Sequence, residues 1–229
     1  MKDVVCLFEE SGLSAAPWAK AGHDVYCYDI LHKKQRIENH GKGRIIFMPW
    51  DARDHHQNIE IILRHFEMSA IVLGFPPCTD LAVSGAAHFA KKAAADARYR
   101  DKAMKLVYTV RDMAKQIGCP WVIENPVSVI SSEWRKPDHI FHPWEYGGYL
   151  PKDDVHPRYP EYIEPRDAYP KKTCYWTGGG FIMPDKKPVP VEPGYSLQHL
   201  KLGGKSEKTK RIRSASPRGI AQAIFEANG

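Results

Sequence analysis

A short apolar run, Ile71-Val-Leu-Gly-Phe75, is halted by Pro76-Pro77 and followed at once by Cys78. Consecutive aliphatic and β-branched residues predict a buried strand. Each proline fixes its own φ and lacks an N–H, so the chain leaves the strand in a stiff, extended turn. Cys78 then falls just past the strand's carboxyl end, where open α/β sheets place ligands and reactive groups. Two readings of it are open, a buried small hydrophobe and a reactive thiol. A second run favours the thiol. Trp121-Val-Ile-Glu124-Asn125-Pro126 is another short apolar strand, ending in a carboxylate, an amide and a proline. Two strands that each deliver a polar group at the carboxyl edge predict one shared site.

Composition narrows the class. At 229 residues, 43% hydrophobic and 26% charged, the chain is long enough for one α/β domain with an elaboration. Its apolar runs are too short to span a membrane, and Met1-Lys-Asp-Val-Val reads as the start of a strand rather than a signal peptide. Cys6, Cys27, Cys78, Cys119 and Cys174 are odd in number and widely spaced, without a Cys-x-x-Cys pair. That spacing argues against a disulfide framework and a zinc site, and predicts a reducing, cytoplasmic setting. A net charge of +6 is compatible with a polyanionic partner.

Along the chain, Val4 to Phe8 reads as a strand, then a turn at Gly12, a helix over roughly residues 15–21 capped by Ser14 or Ser11, and a strand from Asp24 to Tyr28 closing on Asp29. Strand, glycine turn, helix and acid-terminated strand form the dinucleotide-binding layout, in which the acid takes a ribose diol. The usual glycine fingerprint is missing, and Asp29 as a solvated loop residue is the competing reading. Arg44–Met48 is a further strand, with Asp51 and Asp54 just beyond it. His55 and His56 are adjacent and point apart, which favours plain surface over a metal site. Asn58 is placed to cap a helix running to His65. Residues 86–95, small and basic, suit either a lid or a solvated helix. From Tyr99 to Ile117 the apolar positions Ala103, Leu106, Val107, Val110, Ala114 and Ile117 fall on one helical stripe. Beyond Pro126 the texture becomes rich in proline and aromatics. Residues 171–176 alternate like a strand, residues 201–213 read as a basic loop, and Ser214-Ala-Ser-Pro217 opens a final helix.

The run Pro76 to Ala86 (Pro-Pro-Cys-Thr, then Leu-Ala-Val-Ser-Gly-Ala) and the run Glu124 to Trp144 (Glu-Asn-Pro, Ile-Ser, Arg-Lys-Pro-Asp, Pro-Trp) resemble short phage-type DNA (cytosine-5) methyltransferases. These enzymes use S-adenosylmethionine. The resemblance implies a Rossmann-like methyltransferase fold, α/β with a mixed, mostly parallel sheet and helices on both faces. It implies a SAM-binding catalytic core over residues 1–126, a loop-rich substrate side over 127–212, and a helix over 213–229 that returns to the core. Residues 149–167 read as an insertion. The cofactor side would comprise Phe8, Glu9, Gly12, Leu13, Asp29, Asp51 (with Asp54 in reserve), Pro76 and Ser216. The substrate side would comprise Pro77, Ser84, Asn125, Lys172 and Thr173, the last two standing where the larger family has an arginine pair. Catalysis would fall to Cys78 and Glu124. The partner would be nucleic acid, DNA first, with no metal and no membrane, in the cytoplasm of a bacterial host if the gene is a phage's.

The chemistry explains the residue types. Carbon 5 of cytosine is a poor nucleophile until a thiolate adds to carbon 6, and cysteine both attacks and leaves well. A carboxylic acid against ring nitrogen 3 stabilises the charge that develops on addition. Asn125 is expected to orient the loop. A base within duplex DNA must first leave the stack. Lys91, Lys92, Arg98, Lys171, Lys172 and the basic stretch 205–213 are the candidate phosphate contacts. Two alternatives stand beside this reading: pyrimidine modification of RNA, of a free nucleotide or with a modified SAM, and a non-catalytic decoy of the same fold.

Overall fold

Unbroken apolar runs separated by helical periods build an α/β architecture, seen in a computed structural model that describes residues 2–203 and 206–229. Lys205 of the expected basic loop, like Met1, lies outside the described residues. The chain divides into two units, Met1–Ile140 with Thr173–Phe181, and Phe141–Lys172 with Ile182–Gly229. These units cut the chain differently from the three segments expected. Residues 127–140 and 173–181 join the first unit, and the C-terminal helix groups with the second.

The first unit holds β1 (Asp3–Leu7), α1 (Ala16–Ala21), β2 (Asp24–Asp29), β3 (Arg36–His40), β4 (Gly43–Pro49), α2 (His55–His65), β5 (Ser69–Gly74), α3 (Phe89–Ala95), α4 (Tyr99–Ile117), β6 (Trp121–Pro126), α5 (Ile130–Glu133), most of β7 (His139–Phe141) and β8 (Thr173–Gly178). The sheet runs in the order β3-β4-β2-β1-β5-β6-β8-β7. Strands β4, β2, β1, β5 and β6 are parallel, while β3 and β8 are antiparallel to their neighbours β4 and β6. From β1 the chain steps outward to β2 and β4, then crosses to the other side of β1 for β5 and β6. The order therefore reverses between β1 and β5, and ligands of open α/β sheets bind outside the carboxyl ends at such a point.

Alternation divides the core in two. Val5, Leu7, Tyr28 and Val72 pack in one cluster with Ile61 of α2 and Val107, Val110, Ala114 and Ile117 of α4. Val4, Cys6, Val25, Cys27, Ile71 and Leu73, the intervening residues, are also buried and point to the opposite face, as the two-residue period of a strand requires. Helix α1 packs against β2, β3 and β4. Helix α4 has the bounds its stripe predicts and ends at Gly118 in the left-handed region, φ 79°.

Local differences from the sequence reading have physical causes. Ser11 and Ser14 do not cap α1, because both hydroxyls turn to the carboxylate of Glu9; the cap position is Ala15, with Pro17 in the first turn. Helix α2 starts earlier than Asn58 because Asp54 accepts from the amides of His56 and Gln57, while Asn58 accepts from Trp50 Nε1 at 2.9 Å. Strand β3 lacks an apolar face, because its residues are exposed or half-buried, and its register is set by antiparallel pairing with β4.

The second unit carries α6 (Leu197–Lys201), α7 (Glu207–Ser214) and α8 (Arg218–Asn228), with short 3-10 turns at Pro143–Tyr149 and Pro165–Asp167. Most of the expected basic loop is thus helical. Ser206 caps α7 by accepting from Thr209 N at 3.1 Å, and Thr209 and Ile212 supply its buried face. Helix α8 begins after Pro217, four residues later than its expected start. Residues 149–167 are tied to α8: Asp154 forms a two-pronged ion pair with Arg218, and Asp167 accepts from Gly219 N at 2.7 Å. Burial pushes the Asp167 carboxyl up to about 6.

Gly74, the last residue of β5, faces α4. A Cβ there would lie 2.4 Å from Val110 Cγ1. Gly74→Ala is expected to destabilise the chain by about 1–3 kcal/mol, as overpacking does. Denaturant midpoints compared with Gly85→Ala, whose nearest contact is an ordinary 3.9 Å, check this.

Candidate functional site

Strands β5 and β6 pair in parallel with Gly74 opposite Ile123, so the Pro-Pro turn and the Glu-Asn pair leave the sheet side by side. Phe75 N still donates to Leu7 O at 3.0 Å, which ties the turn to the end of β1. Neither Pro76 nor Pro77 has an N–H to offer. The junction is closed from the side by Asn125, 1% exposed, whose Nδ2 donates to Pro76 O at 2.9 Å. Cys78 O then accepts from Leu81 N and Ala82 N at 3.0 and 2.8 Å, folding the chain back. A short antiparallel bridge, Ala82 to Ser128, is flanked by Val83 N to Val127 O at 3.0 Å and Val129 N to Leu81 O at 2.9 Å. The turn is thus fastened at both ends to the continuation of β6.

Cys78 stands out on this turn, exposed, with exposed Pro77 before it and buried Pro76 behind. Cys6, Cys27, Cys119 and Cys174 are buried, and burial pushes the Cys119 thiol up to about 11 and raises the Cys27 thiol as well. Glu124 is half-buried at the end of β6, opposite Tyr175 of β8, and Thr173, 1% exposed, opposes Pro126. Ser84 is exposed in the 3-10 turn Val83–His88, which runs into α3. Lys92 of α3 reaches back to the Cys78 turn, with Nζ 2.7 Å from both Thr79 O and Asp80 Oδ1. Its ammonium holds the turn instead of standing open to phosphate, while Lys91 and Arg98 are exposed.

The ends of β1, β2 and β4 form a second cluster beside the same switch point. Phe8 adopts a left-handed backbone, φ 60°, with its amide donating to Tyr28 O at 2.8 Å. Such a conformation costs a non-glycine residue about 1–3 kcal/mol and collects at functional sites. Glu9 is 3% exposed and serves the loop itself: its Oε1 accepts from Ser11 N, Ser11 Oγ and Gly12 N at 2.6–2.8 Å, and its Oε2 from Ser14 Oγ. Gly12, φ 72°, lets the loop pass Phe47, whose Cζ would lie 2.9 Å from a Cβ; Leu13 is buried. Asp29 is 8% exposed, accepts from Leu31 N at 2.8 Å, and is raised by burial above the usual carboxylate range. Asp51 is gripped by Arg53, whose hydrogen bonds hold it below that range, and Asp54 is spent as the α2 cap.

Sequence reasoning passed over Trp50. Its ring packs 4.8 Å from that of Phe8, and it lines a 260 Å³ cavity with Tyr28, Ile61 and Arg64. An aromatic directly after Pro49 at the strand end was the available signal. His55 and His56 are exposed, and among the described residues no group of three or more His, Cys, Asp or Glu is placed to hold a metal. Among the same residues no helix is long and apolar enough to cross a membrane.

Lys172 and Ser216 belong to the second unit, where Lys172 is exposed and Ser216 half-buried. Several cations of that unit are internally engaged: Lys171 Nζ donates to Arg213 O, Lys208 Nζ to Tyr162 Oη, and Lys210 Nζ to Glu207. No protein-family model matches the chain, and no curated protein matches it significantly.

The exposure pattern predicts selective alkylation. Brief iodoacetamide treatment of the folded protein should modify one thiol per chain, mapped to Cys78 by peptide mass spectrometry, on the order of tenfold or more ahead of the others. Equal labelling of Cys119 or Cys174 would contradict the arrangement.

Proposed function

We propose that this chain is an S-adenosylmethionine-dependent methyltransferase, Rossmann-like in its core, that acts on carbon 5 of cytosine in DNA. The observation that carries the reading is the pairing of an exposed Cys78 with Glu124 on adjacent parallel strand ends, next to the β1/β5 switch point. The resemblance of the Pro76–Ala86 and Glu124–Trp144 runs to short phage-type cytosine-5 methyltransferases supplies the reaction.

The thiolate of Cys78 adds to carbon 6 of an unstacked cytosine, forming an S–C6 bond and sending the double-bond electron pair toward carbon 5. Glu124 donates to ring nitrogen 3 as charge develops there and accepts from the exocyclic amine, which favours cytosine over uracil. The cofactor supplies the electrophilic methyl group that carbon 5 attacks. Loss of the carbon 5 proton to base restores the double bond and expels the Cys78 thiolate. Asn125 acts on Cys78 only through the Pro76 carbonyl, as a positioning residue.

The cluster at the ends of β1, β2 and β4 fits an adenosine group. A mostly buried carboxylate at Asp29 suits a ribose diol, and Phe8 and Trp50 offer aromatic faces beside it. Glu9 would contribute through the loop it organises.

Incubating DNA, RNA and free nucleotides with isotopically labelled S-adenosylmethionine, followed by nucleoside mass spectrometry, tests the reading. Labelled 5-methylcytosine should arise from DNA. Cys78→Ser should abolish it, and Glu124→Gln should slow it on the order of a hundredfold or more while folding normally. Methylation by Cys78→Ser at the parent's rate would overturn the proposal.

A further inference from the structure

A 430 Å³ cavity in the first unit lies against the segment that follows the Cys78 turn. Phe89 and the alanines of α3 form one wall, Tyr99, Arg100 and Asp101 at the start of α4 another, and Glu133 at the end of α5 the third. The rings of Phe89 and Tyr99 stand 6.2 Å apart, tilted by 50°. The Arg100 guanidinium sits 5.0 Å from the Phe89 ring and 5.6 Å from the Tyr99 ring. It donates through Nη2 to Tyr99 Oη at 3.1 Å and is loosely paired to Glu133 at 3.6 Å, while its buried Nε has no hydrogen-bond partner among the described residues.

The lining decides what fits. One cation against two carboxylates disfavours a phosphate. Aromatic faces, a guanidinium with N–H groups to spare beyond Tyr99 and Glu133, and two acceptors suit a flat, neutral heterocycle with amino or ring N–H donors on one edge and acceptors on another. Every residue from Val83 to Ala95 is exposed or half-buried, so α3 presents Phe89 to whatever enters. Lys92, three residues along the same helix, is bonded to the backbone of Thr79 next to Cys78, so one helix carries both the cleft wall and the brace of the thiol turn.

We propose that this cleft receives a second nucleobase, lifted from its stack and held on Phe89 and Tyr99, with Glu133 or Asp101 accepting from its amino edge and Arg100 meeting an acceptor. The choice of a nucleobase among flat heterocycles rests on the proposed function.

The test titrates the full chain with a mixed-sequence single-stranded oligodeoxynucleotide and, separately, with free guanosine and cytidine. Parent, Phe89→Ala, Phe89→Trp and Glu133→Gln are compared, with circular dichroism confirming the fold of each. Phe89→Ala should weaken binding about tenfold, and Phe89→Trp should restore it, which a merely structural Phe89 would not show. A shift with nucleosides as well as the oligonucleotide means the base alone is recognised; a shift with the oligonucleotide alone means that the base is read within a strand. Equal affinity of parent and Phe89→Ala for all probes, or no binding of any probe by the parent, overturns the proposal. Cys78-dependent methyl transfer is read in a separate assay, so either claim can fail without the other.

Discussion

The hydrogen bond from Asn125 Nδ2 to Pro76 O is the interaction on which the arrangement around Cys78 depends. Two consecutive prolines remove the donors that would otherwise continue the β5 ladder, and the Pro76 carbonyl is left beside a buried strand end. A buried acceptor without a donor costs about 1–3 kcal/mol. Asn125 supplies the donor from the neighbouring strand, and the bridge of Ala82 to Ser128 fastens the far side of the turn. Only the tip between these fixings is free to protrude, and that tip carries the thiol. The same constraint explains why Cys78 is exposed, while the other four cysteines lie in strands or against the core.

A comparable economy shapes the other half of the edge. The loop after β1 is organised by a single acid: Glu9 turns inward and gathers two amides and two hydroxyls, and Phe8 before it takes a left-handed conformation beside Trp50. Asp29 is left at the end of β2, mostly buried, where the proposed reading puts the ribose. Phe75 N to Leu7 O ties the two halves directly. The proposed reaction needs a nucleophile and an electrophile at one sheet edge, and this strand order supplies two adjacent places for them.

Legibility in the sequence followed burial. Helix α4 could be bounded to the residue because its apolar stripe faces the sheet and Gly118 marks its end. The strands ending at Gly74 and Pro126 were readable as continuous apolar runs, and so was the placement of Cys78 and Glu124 at neighbouring strand ends. Strand β3 was not, since Arg-Ile-Glu-Asn-His buries no face and owes its existence to pairing with β4. Helix α7 was hidden by its own cations: two buried residues, Thr209 and Ile212, carry its amphipathicity. The serines at 11 and 14 and the acid at 54 changed roles because capping is a competition among nearby donors and acceptors, settled in space. The Phe89, Tyr99 and Arg100 cleft draws residues from two helices and was invisible to any local pattern.

The central claim is that Cys78 is a nucleophile toward carbon 6 of cytosine. DNA carrying 5-fluorocytosine cannot lose its carbon 5 substituent as a proton, so the covalent species should stall after methyl transfer. A protein–DNA adduct that survives denaturing electrophoresis, needs S-adenosylmethionine to accumulate, and maps to Cys78 in the cross-linked peptide is the predicted result. An adduct that persists in Cys78→Ser, or its absence under conditions where the parent methylates ordinary DNA, would contradict the account.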